Sequence, residues 1–79
     1  MHEWLEAAVA ELAAATGESA EAFALTDDER ERLLELARVA AHDSGDRTNA
    51  PLVCYLVGLA RGRSAAASTA ELVDAVKQT

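Results

Sequence analysis

The chain has 79 residues, is 51% apolar but only 4% aromatic, and carries a formal net charge of −7. That length supports one domain. Residues 1–29 hold eight acids and no Lys or Arg, which argues against wrapping nucleic acid because phosphates would be repelled. The apolar content is Ala, Leu and Val, with one Pro and four Gly, so helices are predicted and strands are not.

The first helix is predicted over residues 2–15. Trp4, Leu5, Ala8, Val9 and Leu12 recur at helical spacing and form one apolar stripe. Glu3 and Glu6 suit the positive end of the helix dipole. Gly17 is placed to stop it, since glycine readily takes the left-handed cap conformation. In the linker 18–25, Phe23 and Leu25 are apolar residues in a polar setting and are expected to fold back onto the core.

Thr26-Asp27-Asp28-Glu29 is a capping box. The Thr oxygen and the Glu carboxylate satisfy backbone N–H groups that the first helical turn leaves open. It opens a second helix over 27–43, with Leu33, Ala37 and Ala40 as the core face flanked by Leu34, Leu36 and Ala41. Glu31, Glu35, Arg38 and His42 fall on the opposite side. Ser44-Gly45-Asp46 ends it.

A third helix is predicted over 50–62. Asn49 is placed as its cap, and Pro51 fits the first turn, where its missing N–H would lack a partner anyway. Residues 52–60 are apolar on nearly every side. A helix of that kind is buried all round or has a partner. Ser68-Thr69-Ala70-Glu71 is a second capping box, opening a fourth helix over 68–77 with Leu72, Val73 and Val76 as its stripe. Four helices joined by short loops predict an all-α, compact antiparallel four-helix bundle with a central apolar third helix.

Residues 50–60 form the longest apolar run, far short of the ~20 residues a membrane helix needs. The lone Cys54 closes no disulfide within the chain, and Met1-His2-Glu3-Trp4 lacks the positive charge of a secretory signal. A cytoplasmic protein is expected, with no membrane, nucleic-acid or cofactor dependence.

Candidate sites are few. Residues 30–63 hold six arginines against four acids, so an anion would be favoured there if anywhere. Arg38, His42, Arg47 and Asn49 surround the turn between the second and third helices. They could hold a phosphorylated or pterin-like anion on the free N–H groups at the helix start, with Arg47 making a forked contact. The competing reading is a capped turn with Arg38 paired to Glu35 and His42 facing solvent. Pro51 favours it by removing one donor. Cys54, Gly58 and Arg61 share a helix face with Val57 beside them. That face serves either a partner or a second copy, or packing against the first helix, and the two readings stand level. Trp4 is a core edge anchor or a partner hot spot. Cys54 lacks an activating neighbour, and no zinc-ligand spacing or phosphate loop occurs. No enzyme is expected.

The stretch Leu34-Glu35-Leu36-Ala37-Arg38-Val39-Ala40-Ala41-His42, then Arg47, then Ala50-Pro51-Leu52 and Tyr55-Leu56-Val57-Gly58-Leu59-Ala60 resembles a small helical domain of unknown function from actinobacteria. The opening His2-Glu3-Trp4-Leu5 is also similar, and the likeness spans residues 4–62. It departs from the usual pattern at Asp46, Thr48 and Asn49. In that family the domain occurs alone or fused to a nucleotidyltransferase of the molybdenum cofactor guanylyltransferase type. The resemblance therefore implies a non-enzymatic accessory module near molybdopterin–guanine dinucleotide synthesis or molybdoenzyme maturation. Its partner would be such a nucleotidyltransferase or a molybdoenzyme. The resemblance implies no catalytic residue. A self-associating structural domain and a small-anion binder are the alternatives.

Overall fold

The computed structural model describes residues 3–79. Among them run four α-helices and no strand: α1 (Glu3–Thr16), α2 (Asp27–Asp43), α3 (Asn49–Arg63) and α4 (Thr69–Lys77). A short 3-10 turn, Ala20–Phe23, lies between α1 and α2. The fold is the expected all-α arrangement of four helices. The expected start at His2 lies outside the described residues.

The helix ends follow the local chemistry. Both capping boxes form. Glu29 N–H donates to Thr26 Oγ1 at 3.1 Å, and Thr26 N–H donates back to Glu29 Oε1 at 3.0 Å. Ser68 and Glu71 repeat the exchange at 3.1 Å in both directions. Gly17 takes φ +77° just after α1, and Gly45 takes φ +74° just after α2. These left-handed values cost an L side chain roughly 1–2 kcal/mol and cost glycine little.

One cap differs from expectation. Asn49 lies inside α3, and the capping position falls on Thr48, whose backbone is helical and whose side chain makes no cap bond. The polar side chains of this turn close on each other instead. Thr48 donates its N–H and hydroxyl to Asp46 Oδ1 at 2.9 and 2.6 Å. Asn49 Nδ2 donates to Ser44 Oγ at 3.1 Å. Asp46 is two residues before Thr48, the spacing of an Asx turn, and that local bond displaces the Asn49 cap.

The core sits where α2, α3 and α4 meet. Leu36, Val57 and Val73, one from each helix, are its buried hydrophobic residues, with Leu33, Val53, Cys54, Leu72 and Val76 packed around them. α2 touches both α3 and α4. Its expected face, Leu33, Ala37 and Ala40, is half-buried, and the centre of burial lies at the flanking Leu36, 1% exposed, whereas Leu34 on the other flank is 54% exposed. Val39 and Asp43, on the next turns, follow Leu36 to the same side. Three polar links tie α4 to α2, one of them Arg32 Nη1 at 4.0 Å from Asp74 Oδ1. Thr69 Oγ1 donates to Glu29 Oε2 at 2.8 Å, and Lys77 Nζ lies 2.7 Å from Glu35 Oε1.

Among the described residues, α1 packs closely only on the 3-10 turn. Its stripe, Leu5, Ala8, Val9 and Leu12, looks across a hollow of about 680 Å³ toward Leu33, Cys54 and Val57. Phe23 is half-buried on one side of that hollow, whereas Leu25 borders it while 42% exposed, so the two line the hollow rather than pack onto the buried core.

Candidate functional site

α3 has one face in the core and another in water. The outward row is Leu52, Tyr55, Leu56 and Leu59, which are 59, 66, 59 and 40% exposed. The spacing i, i+3, i+4, i+7 places them on one helical stripe. Scattered exposed leucines are ordinary on any protein; these four side chains form one continuous row. Leu52 and Leu56 also border an apolar groove of about 500 Å³ between α2, α3 and the end of α4, with Asp43, Ser44, Asn49 and Lys77 among its lining residues.

The face singled out from the sequence behaves differently. Val57 is 4% exposed and sits in the core, so it belongs to no outer surface. Its expected place at an interface is corrected by the rotation of α3, which points Val57 at Leu36 and Val73. Cys54, Gly58 and Arg61 line the hollow that faces α1. Within that hollow, space remains open around Gly58: an added Cβ would meet nothing within 4 Å. The thiol of Cys54 lies 3.9 Å from the Leu33 carbonyl oxygen and is half-buried, and burial raises its pKa above the ordinary thiol value. Such a thiol is a weak nucleophile at neutral pH. Trp4 is 70% exposed near the start of α1, so it is no core anchor.

The four candidates for an anion site are not gathered into one hollow. Arg38 lines an open depression with Arg32 and with Asp28, Glu31 and Glu35, whose three carboxylates outnumber the two guanidinium groups and oppose an anion. Asn49 lines the apolar groove, with its amide on Ser44. His42 is on the solvent side, its Nδ1 3.1 Å from Asp43 Oδ1. Arg47 is exposed in the turn. The expected Arg38–Glu35 pair gives way to Lys77, which reaches Glu35 from α4.

The shifted ionisable groups point to structure. Glu29 is held below the ordinary carboxylate value by the Thr26 backbone N–H, then by the Thr69 hydroxyl. Glu71 is lowered by its cap on Ser68, Asp46 by the Thr48 hydroxyl and N–H, and Glu35 by Lys77. Arg32 is raised by its bond to Asp28. Each cause is a helix cap, a turn, a hydrogen bond between helices or an ion pair within α2 or between α2 and α4, and Arg32 and Glu35 alone among these groups share a depression, an open one on the outside of α2. Among the described residues no three His, Cys, Asp or Glu side chains come together to hold a metal ion, and no helix is long and apolar enough to cross a membrane.

Sequence reasoning missed the row on α3 and the bond between Glu29 and Thr69. The row was visible as a period within residues 52–59, hidden because the other α3 positions are apolar too. Nothing in the sequence marks Thr69 as the partner of Glu29, forty residues away. No curated protein and no solved structure matches the chain. One family model, described as a domain of unknown function, matches residues 1–79. A match over the whole length places this chain in that family, the domain of unknown function DUF6457.

Proposed function

We propose that this domain is a non-enzymatic accessory module that works by docking against protein surfaces. One observation carries the reading: α3 holds a row of four large apolar side chains in water, on a helix whose other side is already in the core. Contact surfaces of proteins are built around such apolar centres with polar rims. The lowered carboxylates Glu29, Glu71 and Asp46 support the same reading, because each is held by a helix cap or a turn.

The likeness stated from the sequence supplies the protein to try first: a molybdenum cofactor guanylyltransferase, or a molybdoenzyme during its maturation. Trp4, exposed on α1, is the anchor proposed for that contact, since tryptophan dominates the energetics of many interfaces. Calorimetry of the purified domain with such a nucleotidyltransferase tests this. Saturable binding that Trp4→Ala weakens at least tenfold is the expected result. No heat from either protein at tens of micromolar would remove the cofactor connection.

A further inference from the structure

We propose that the outer face of α3 is covered by a second copy of this chain, with the two α3 helices antiparallel across a two-fold axis. This deepens the docking-module reading by naming the occupant of one face, and it leaves Trp4 on α1 to other proteins.

The first support is area. A monomer of 8.3 kDa is expected to expose about 4,600 Å² of surface. This chain exposes 5915 Å². The surplus, about 1,300 Å², exceeds the roughly 800 Å² per partner that a standard stable interface buries. The radius of gyration, 13.1 Å, is likewise above the roughly 11.6 Å expected of a free-standing domain this long. α3 supplies four of the eight large apolar side chains found exposed among the described residues. That is more than any other element supplies.

The second support is charge. The chain carries −7 overall, yet α3 contains no acid and ends in Arg61 and Arg63. Two acids and one base stand at its opposite end: Asp43 closes α2, and Asp46 and Arg47 are in the turn. Arg63 is one turn beyond Leu59 on the outer stripe, and Asp43 lines the groove that Leu52 and Leu56 border. A two-fold axis near Tyr55 and Leu56 puts Leu52 against Leu59 of the second copy, and each Arg63 beside the end of the other that holds Asp43 and Asp46 against the single Arg47. Parallel pairing would set Arg63 against Arg63. An isologous contact makes each of these pairings twice, so the acid-free face avoids the repulsion that the rest of this surface would bring.

Analytical ultracentrifugation of the full chain from 5 to 500 μM, in about 0.1 M salt, tests the proposal. A reversible dimer at twice the 8.3 kDa chain mass is expected. Leu56→Glu, at a site already exposed, should raise the dissociation constant at least 100-fold with an unchanged helical spectrum. Arg63→Glu should weaken the dimer about tenfold, and adding Asp43→Arg should restore it. A strictly monomeric chain at 500 μM overturns the proposal, as does a dimer indifferent to Leu56→Glu. A dimer that Leu56→Glu breaks but the charge swap does not rescue overturns the antiparallel arrangement. These outcomes are separate from the binding of a nucleotidyltransferase, which is read with Trp4→Ala.

Discussion

Replacing Glu29 with alanine should be far more damaging than its place on the first turn of a helix suggests. Its carboxylate does two jobs. Oε1 accepts the Thr26 N–H at 3.0 Å and completes the capping box, and Oε2 accepts the Thr69 hydroxyl at 2.8 Å. Thr69 is 7% exposed, so the substitution leaves a buried hydroxyl without its acceptor. The cap and its dipole contribution amount to about 1 kcal/mol. A hydrogen bond to a charged acceptor contributes roughly 1.5–3 kcal/mol, reduced to about 1 kcal/mol here because Glu29 is only half-buried. The loss of about 2 kcal/mol is a large share of the roughly 4–12 kcal/mol available to a domain this size. It should lower the melting temperature by about 8–16 °C. Thermal melts followed by circular dichroism at 222 nm provide the measurement. Glu71→Ala removes a matching cap that has no such tertiary partner and should cost clearly less. Thr69→Val with Glu29→Ala closes a double-mutant cycle, in which the two losses should fall short of additive by about 1 kcal/mol. Equal losses for Glu29→Ala and Glu71→Ala, with full additivity in the cycle, would refute the argument.

The same carboxyl makes the fold acid-sensitive. Its folded pKa lies below its unfolded value, so its contribution is complete above about pH 5 and is lost as pH falls through the lower folded value. Urea midpoints between pH 7 and pH 3 should decline less steeply in Glu29→Gln than in the parent. In the core, Leu36→Ala should cost about 2–5 kcal/mol and leave the domain barely folded at 37 °C, whereas Leu34→Ala, at an exposed site on the same helix, should stay within about 0.5 kcal/mol. Urea titrations separate the two, and equal losses would contradict the packing of α2. Cys54 should react with iodoacetamide at pH 7.5 at least tenfold more slowly than a free thiol, because burial raises its pKa. Mass spectrometry of timed samples reads the rate.

Much of this molecule is written locally in its residues. Both capping boxes, the stop at Gly17 and the break around Gly45 depend on side chains within four positions of each other, and these set the helix boundaries. The same locality let the Asp46–Thr48 turn override Asn49 as a cap, because two short-range bonds compete for one helix start. Apolar periodicity also settled that α4 turns Val73 inward. What periodicity could not settle is the rotation of a helix that is apolar nearly all round. On α3 almost any face could be buried, and only contact with Leu36 and Val73 decided that Val57 goes in while Leu52, Tyr55, Leu56 and Leu59 stay out. The Glu29–Thr69 bond is of the same kind, since its partners meet only once α4 has folded back on α2. Local rules act within a turn or two of backbone. The choice among equivalent faces depends on the volumes of residues distant in sequence, and that choice belongs to the tertiary fold.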